Sequence, residues 1–316
     1  MSSVARGLAE VSPAPSVVTI GNFDGVHRGH RVLLDRAIAR AHEAGVRSVA
    51  VTFDPHPVRL LRPEAAPPQL QHLEQRVAAL VATGIDLVLV LPFTRELAAL
   101  TPGAFVAEVL AGALAAVRVV VGSNFRFGAR AAGDVDTLAE LGPRHGFELE
   151  AVPLAAVEGR RISSSAIREH LAAGEVAAVT DALGRPHELT GEVVHGDGRG
   201  RTIGVPTANL AIASDLVVPP AGVYAGHARI GAPSPVPGGA SWWPAVTNVG
   251  VRPTFDGTQR SVEVHLLDCE VDLYGRELTV TFAHWLRAER RFDGVPQLIA
   301  QIGADVERAR ELLAGA

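Results

Sequence analysis

Residues 21–30 read Gly-Asn-Phe-Asp-Gly-Val-His-Arg-Gly-His, and this stretch decides the fold of the first half of the chain. It follows the apolar run at 17–20, which is typical of a buried strand, and it leads into an amphipathic pattern typical of a helix. The glycines allow the backbone to approach a ligand closely, and the helix N-terminus offers N–H groups to an anion. The sequence therefore predicts a phosphate-binding loop in which His27 and His30 stabilise developing charge. The alternative is a glycine-rich turn with surface histidines.

The first half of the chain alternates strands with helices. Three further buried strands are predicted, at 48–53, 87–91 and 118–122. Helical patterns lie between them, at 32–44, 73–83 and 102–114. The first two of these patterns are followed by a glycine, the usual signal of a helix C-terminus. This alternation predicts a parallel sheet covered on both faces, with ligands bound outside the carboxyl ends of the strands.

Two other segments of the first half support a nucleotide site. Residues 161–168, Arg-Ile-Ser-Ser-Ser-Ala-Ile-Arg, predict a loop that enters a helix, and a serine N-cap is the simplest explanation of the hydroxyls. Arg168, however, is a cation in the first turn, where the helix dipole disfavours it unless an anion lies nearby. Residues 122–128, Gly-Ser-Asn-Phe-Arg-Phe-Gly, follow a strand directly and so lie on the ligand side. Whether their aromatic residues pack or contact a ligand is left open.

These segments resemble the nucleotidyltransferases that use a His-x-Gly-His site on a Rossmann-like sheet. With Phe-Asp-Pro-His-Pro at 53–57, they resemble more closely the adenylyltransferase module of bacterial bifunctional FAD synthetases. The resemblance implies transfer of AMP from ATP to FMN, with the α-phosphate stabilised by His27 and His30. It implies outgoing phosphates held by Ser164, Ser165 and Arg168, and adenosine beside Asn124. The whole ATP set implied is Gly21, Asn22, Phe23, His27, His30, Asn124, Ser164, Ser165 and Arg168. The flavin would face Phe53, Pro55 and His56.

The character of the sequence changes near residue 186. Short strand-like runs separated by Gly and Pro turns follow, at 192–195, 222–230, 243–251, 261–267 and 277–282. This pattern predicts an antiparallel barrel or sandwich. The final segment returns to helix, with an apolar stripe from Leu298 to Leu313 that should cover the flank of the barrel. Residues 232–244, rich in Pro and Gly, are expected to form an exposed hairpin loop.

The stretch at 191–210 carries the chemistry of the second half. Its glycines alternate with Arg199 and Arg201, which makes a cationic flap suited to phosphates. Thr207 and Asn209 lie two residues apart in an extended segment and so point to the same side. A hydroxyl and an amide oxygen suit Mg²⁺, which takes oxygen ligands beside phosphates. A turn in which Thr and Asn bond to their own backbone is the alternative.

A further candidate lies in residues 261–267, Ser-Val-Glu-Val-His-Leu-Leu. Strand alternation places Val262, Val264 and Leu266 on one face and Glu263 and His265 on the other. A mid-strand Glu on the polar face is often merely solvated. The sharper hypothesis is that Glu263 is a general base for a hydroxyl nucleophile.

The second half resembles riboflavin kinase, which in bacteria is fused behind the adenylyltransferase. The match runs through residues 200–210, 222–224, 248–255, 262–268 and 272–275, and with the first half it covers nearly all of 15–313. The resemblance implies a six-stranded Greek-key barrel in which Glu263 takes the proton from the ribityl 5′-hydroxyl of riboflavin. It implies Mg²⁺ at Thr207 and Asn209. The ATP set implied is Gly198, Arg201, Thr202, Gly204, Thr207 and Asn209. The expected domains are an α/β Rossmann-like unit at 1–186 and the barrel with its C-terminal helix at 187–316.

Composition sets limits on other classes of function. A net charge of −5 and an aromatic content of 5% disfavour binding to nucleic acid. A single cysteine excludes an internal disulfide, and no run of about 18 apolar residues predicts a membrane span, so a cytoplasmic enzyme is expected. Two alternatives remain at this stage. One is a nucleotidyltransferase with another acceptor and an unrelated barrel; the other is a nucleotide sensor with an OB-like barrel. The sequence does not predict the oligomeric state.

Overall fold

The structure is a computed structural model that describes residues 2–153, 156–157, 160–196, 204–231, 242–254, 257–269 and 271–314. Within it the chain forms two compact units. The first unit consists of Met1–Pro67 and His72–Ser163, and the second unit of Pro68–Gln71 and Ser164–Ala316. The boundary predicted near residue 186 separates the two activities along the chain and not the two compact units. It stays a prediction.

The first unit is built on a parallel sheet of six strands. They are β1 (Ser3–Ala5), β2 (Ser16–Ile20), β3 (Arg47–Asp54), β4 (Leu87–Pro92), β5 (Ala116–Gly122) and β6 (Glu148–Val152), in the order β1-β4-β3-β2-β5-β6. Strands β2 to β5 confirm the four predicted strands. Sequence patterns missed β1, which has three residues, and β6, whose residues are mostly polar or half-exposed. Two short strands, β7 (Ala156–Val157) and β8 (Arg160–Arg161), pair with each other.

Helices cover both faces of this sheet. They are α1 (Arg28–Ala44), α2 (Pro57–Leu61), α3 (Leu73–Val81), α4 (Arg95–Ala99), α5 (Pro102–Phe105) and α6 (Val135–His145). The helix predicted over 102–114 is α-helical only in α5 and continues as a π-helix over Val106–Ala113. Apolar positions three and four apart are buried in both helix types, so the pattern could not distinguish them.

The strand order places a topological switch point beside β2. The chain moves from β2 outward through β3 and β4, and then returns to place β5 on the other side of β2. Loops at the carboxyl ends of β2 and β5 therefore flank the crevice where open α/β sheets bind their ligands. These two loops lie within the stretches 21–30 and 122–128 identified in the sequence.

The second unit is a closed antiparallel barrel with helices against it. Its elements are α7 (Ser164–Ala172), α8 (Val176–Leu183), β9 (His187–Val194), β10 (Ala208–Ala211), β11 (Gly222–Ile230), β12 (Trp242–Thr254), β13 (Gly257–Leu266), β14 (Glu277–Phe282), β15 (His284–Arg287) and α9 (Val295–Leu313). Six strands close in the order β12-β13-β10-β9-β14-β11, because β11 pairs with β12, and β15 pairs with β11. Strand β14 returns beside β11 after the hairpins β11-β12-β13, which is the Greek-key arrangement.

One loop prediction is wrong at its end. Trp242, Trp243 and Pro244 belong to β12, where they pair with Arg229, Ala228 and His227 of β11. The prolines and glycines that precede these residues are typical of a loop, so the sequence pattern placed the loop end too late. Residues 232–241 lie outside the described residues. The predicted stripe on the final helix is confirmed, because Ala309 and Leu313 of α9 pack on Val223, Ala225 and Val246 of the barrel. No helix in the described ranges is long and apolar enough to cross a membrane.

Lowering the pH from 6.5 towards 4 is expected to destabilise the barrel by about 3 kcal/mol through His187. His187 is 1% exposed, its Nε2–H donates to the Val217 carbonyl at 3.1 Å, and burial lowers its pKa to about 4. Below pH 6.5 the unfolded chain binds a proton that the folded chain does not, so stability present above pH 6.5 is lost as the pH falls. All three tryptophans lie in the second unit, so their fluorescence reports its unfolding by denaturant.

The variant His187→Gln should show a flatter dependence of stability on pH, whereas His195→Gln, at an exposed position, should retain the wild-type dependence. Equal slopes in wild type and His187→Gln would contradict this assignment.

Candidate functional site

The first loop, residues 21–27, turns the chain from β2 into α1 through a strained backbone. Phe23 and Val26 have φ angles of 49° and 41°, in the left-handed region that side chains with a Cβ rarely adopt. Both side chains are buried, at 0% and 2% exposure, which holds the backbone in this shape. Strain of this kind is often found at sites whose geometry serves a ligand. The loop delivers His27 as the N-cap of α1.

His27 and His30 form a stacked pair at the start of α1. Their ring centroids are 3.6 Å apart, and the rings of Phe23 and His30 are nearly perpendicular with centroids 5.2 Å apart. A Cβ on Gly29 would lie 3.1 Å from the His27 ring, so the glycine between the histidines makes room for the stack. His27 Nδ1 accepts the backbone N–H of His30 at 3.2 Å, which places the proton of a neutral His27 ring on Nε2. The spacing His-x-Gly-His thus has a local geometric reason.

The two histidines are suited to bind an anion. Burial, together with the neighbouring His27, holds the pKa of His30 well below 6.5, so its imidazole is neutral at neutral pH. Its Nδ1 is buried and, within the described part of the chain, has no hydrogen-bond partner. A phosphate placed against these rings would supply the missing charge and raise that pKa.

The second loop, as we call residues 53–57, spans the last two residues of β3 and the start of α2 and lies beside the first loop. The Asn22 side-chain nitrogen is 3.1 Å from His56 Nε2, so the structure brings together one residue predicted for ATP and one predicted for flavin. His56 also caps α2, since its Nδ1 accepts the N–H of Val58 at 3.3 Å. Phe53 is half-buried and meets Phe93 edge to face at 5.7 Å. The Asp54–Pro55 peptide bond, within this loop, is cis.

Sequence reasoning missed Arg76, which joins the two loops. It lies on α3, has 0% exposure, and donates to the carbonyl of Asn22 at 3.1 Å and to that of Phe53 at 2.9 Å. An arginine on the core side of an amphipathic helix is the signal that could have identified it.

Asn124 is exposed in the turn that follows β5, at the same end of the sheet. The structure shows how the neighbouring aromatic rings pack. Phe127 is buried against Phe105, and Phe125 stacks on Phe127 with centroids 5.6 Å apart. These rings therefore pack in the core of the first unit.

The predicted helix start at 161–168 is confirmed, since α7 begins at Ser164, but Arg168 is the fifth residue of the helix and not in its first turn as predicted. Ser164 is half-buried and Ser165 exposed, and Arg168 Nε donates to the carbonyl of Pro68 at 2.6 Å. These three residues belong to the second unit, whereas His27, His30 and Asn124 belong to the first.

On the barrel, a polar row crosses three neighbouring strands. Val262 and Val264 are buried at 2% and 0%, and Glu263 lies half-buried on the opposite face, as alternation predicts. In the strand register Glu263 stands opposite Asn209 of β10 on one side and Asn248 of β12 on the other. Asn248, whose Nδ2 donates to Glu289 Oε1 at 3.4 Å, was assigned no role from the sequence.

Asn209 belongs to β10 and is half-buried opposite Glu263, and Thr207 is half-buried just before this strand begins. The carbonyl of Pro206 accepts from His265 Nδ1 at 2.8 Å, which fixes the segment just before Thr207. A Cβ on Gly196 would lie 2.2 Å from Asn209 Nδ2, so only glycine allows the start of the flap to approach that amide. Gly204 has a φ of 78°, which favours glycine. Gly198, Arg201 and Thr202 lie outside the described residues.

The hydroxyl of Thr207 and the amide oxygen of Asn209 are hard donors of the kind Mg²⁺ accepts, so the donor chemistry fits this ion. Among the residues that the structure describes, no group of three or more His, Cys, Asp and Glu side chains could hold a metal ion.

Both halves of the chain match known proteins. Residues 9–166 match the FAD synthetase family model, and residues 183–313 match the riboflavin kinase model. A bifunctional riboflavin kinase/FMN adenylyltransferase of Pseudomonas fluorescens is 41% identical over 98% of this chain and 98% of its own. That of Escherichia coli K12 is 40% identical over 97% of this chain and 96% of its own. A crystal structure described as a macrolide-efflux protein from Streptococcus pneumoniae aligns with a TM-score of 0.86 at 31% identity, covering 98% of each chain.

Proposed function

The chain belongs to the family of bifunctional riboflavin kinase/FMN adenylyltransferases, and from this premise we propose which of its residues carry each reaction. Its C-terminal half phosphorylates riboflavin to FMN, and its N-terminal half adenylylates FMN to FAD. ATP is the proposed donor in both steps. The proposed functional boundary is near residue 186, and the predicted cytoplasmic location stays a prediction.

The two reactions place different demands on their sites. In the kinase step the ribityl 5′-hydroxyl oxygen bonds to the γ-phosphorus of ATP, ADP leaves, and the hydroxyl proton needs an acceptor. In the adenylyl step a phosphate oxygen of FMN bonds to the α-phosphorus of ATP and pyrophosphate leaves. That oxygen is already ionised near neutral pH, because the second pKa of a phosphate monoester is about 6. The kinase therefore needs a base, whereas the adenylyltransferase needs groups that stabilise charge.

The chemistry of each proposed site matches its reaction. Glu263, which stands between Asn209 and Asn248 in the strand register, carries a carboxylate, and it is the proposed base for the 5′-hydroxyl. The end of the first loop and the first turn of α1 offer the imidazoles of His27 and His30, with the pKa of His30 lowered, to the phosphates of the second ATP. A carboxylate suits a reaction of an alcohol, and imidazoles suit a reaction of an ionised phosphate. This match supports the assignment of Glu263 to the kinase step and of the two histidines to the adenylyl step.

The remaining assignments follow the same division. In the barrel, Thr207 and Asn209 would hold Mg²⁺, which would neutralise phosphate charge, and the flap residues Gly198, Arg201, Thr202 and Gly204 would cover the ATP. In the adenylyltransferase, ATP would contact Gly21, Asn22, Phe23 and Asn124, with its outgoing phosphates on Ser164, Ser165 and Arg168. The second loop, through Phe53, Pro55 and His56, would bind the flavin.

Incubating the full chain with riboflavin, ATP and Mg²⁺ should give FMN first and FAD after a lag, as measured by chromatography of the products. A fragment of residues 164–316, which keeps α7, α8 and the barrel, should give FMN and no FAD. Supplying FMN directly to the full chain should abolish the lag. FAD formed by the fragment, or a folded fragment without kinase activity, would refute the division of labour.

A further inference from the structure

Arg76 is a buried cation that contacts the backbone of both loops of the adenylyltransferase site. Nη1 donates to the carbonyl of Asn22 in the first loop, and Nη2 donates to the carbonyl of Phe53 in the second loop. The Asn22 carbonyl also accepts from Thr52 Oγ1 at 3.1 Å, so two donors fix its direction. Through its side chain the same Asn22 contacts His56. One guanidinium therefore holds the two segments that carry substrate-binding residues.

Stability alone does not account for a guanidinium at this position. Its neighbours on α3, Val77 and Leu80, pack in an apolar cluster with Phe23. A carboxylate oxygen of Asp54 lies 4.0 Å from Arg76 Nη2, and the buried carboxylate of Asp24 favours the charged guanidinium more strongly than Asp54 does. Arg76 Nε is buried without a hydrogen-bond partner in the described part of the chain. Burial lowers the pKa of Arg76, and the charges of Asp24 and Asp54 oppose this only in part. An apolar side chain of similar size would be buried here at lower energetic cost.

We infer that Arg76 is a positioning residue that holds the first and second loops in one arrangement, so that binding of ATP and binding of FMN favour each other. This inference rests on the proposed roles of the two loops. A guanidinium suits the task, because its planar fork directs separate N–H groups at two acceptors, whereas an ammonium is a single point of charge. Arg76 bonds to the carbonyls of both Asn22 and Phe53. When one substrate binds and orders its loop, the other loop is therefore ordered as well, and the second substrate binds at a lower entropic cost.

The test uses full-length Arg76→Met, which keeps a long apolar side chain, and Arg76→Lys, which keeps the charge. Rates of FAD formation are measured over a grid of ATP and FMN concentrations, which gives kcat, both KM values and the factor by which ATP tightens FMN binding. We expect Arg76→Met to lower kcat about 10²-fold, as a misplacement near 1 Å does. We expect the coupling factor of Arg76→Met to move towards 1. Arg76→Lys should show a smaller loss of kcat and of coupling than Arg76→Met. Riboflavin phosphorylation, which the barrel performs, should be unchanged in the same preparation.

Three results with a folded Arg76→Met would overturn the inference. If wild type shows no coupling between ATP and FMN, or if Arg76→Met melts earlier yet keeps kcat and coupling, Arg76 is structural only. If only the KM for ATP or only the KM for FMN changes, Arg76 positions one loop and does not couple the two. If Arg76→Met does not fold, Arg76→Lys decides, and an unchanged coupling factor overturns the proposal. Arg144→Met, at an exposed site on α6, is the matched control. Asn22→Ala and His56→Ala test the loop roles separately, because unchanged KM values there would remove those roles whatever Arg76 does.

Discussion

Glu263→Gln is expected to lower the rate of FMN formation about 10²- to 10⁴-fold, the usual worth of general base catalysis. Glutamine keeps the size and polarity of the side chain and its place between Asn209 and Asn248, but it cannot accept the proton of the 5′-hydroxyl. Adenylylation of supplied FMN should be almost untouched, because the residues proposed for it lie outside the barrel. The two rates are measured on one preparation, with riboflavin as substrate in one assay and FMN in the other.

Four further measurements distinguish a base from other roles of Glu263: the rate of a control variant, the melting temperature, ADP binding and the response to excess Mg²⁺. Glu192→Gln, which changes an exposed mid-strand carboxylate of the same barrel, should leave the kinase rate unchanged. A Glu263 that is merely solvated would give normal turnover in Glu263→Gln. If Glu263 is needed for folding, Glu263→Gln would have both a lower melting temperature and weaker ADP binding. One that binds the metal would give a loss that excess Mg²⁺ reverses.

Local sequence predicted the parts of the site whose geometry is set over a few residues. The first loop is such a part, because a strand, two glycines and a helix start fix where His27 and His30 stand. Strand alternation likewise placed Glu263 on the face opposite Val262 and Val264. The four inner strands of the parallel sheet were found because they are mostly apolar, as expected of strands buried on both faces.

The parts that the sequence did not predict depend on distant partners. Arg76 binds the carbonyls of Asn22 and Phe53, which lie 54 and 23 positions away in the chain, and no local pattern encodes that pairing. Asn248 becomes a neighbour of Glu263 only through the register of β12 and β13. The edge strands β1 and β6 are short or polar, and pairing with β4 and β5 defines them more than their own composition does.

His30→Ala is expected to lower kcat for FAD formation by about 10²-fold or more, the usual effect of losing a donor that acts on a transition state. The FMN phosphate needs no base, so the loss should appear as a lower kcat for adenylylation and leave FMN formation near normal. His30 is neutral in the free protein, because burial and His27 keep its pKa well below 6.5. Bound phosphate should raise that pKa, so ATP binding near pH 6 should take up protons. Calorimetry in buffers of different ionisation enthalpy measures this uptake, which His30→Ala should reduce.

His27 requires a different substitution, because its Nδ1 also caps α1. His27→Ala would remove the cap, which alone costs about 1 kcal/mol of stability, and would confuse folding with catalysis. His27→Asn keeps a side-chain oxygen that can accept the N–H of His30 while removing the imidazole. We expect it to lower kcat for FAD formation to a similar degree at nearly wild-type melting temperature, whereas His42→Ala, at an exposed position in the last turn of the same helix, should change neither. Normal adenylylation in both His27→Asn and His30→Ala would leave these histidines as helix-capping and packing residues only, and the charge-stabilising role would then have to be sought elsewhere.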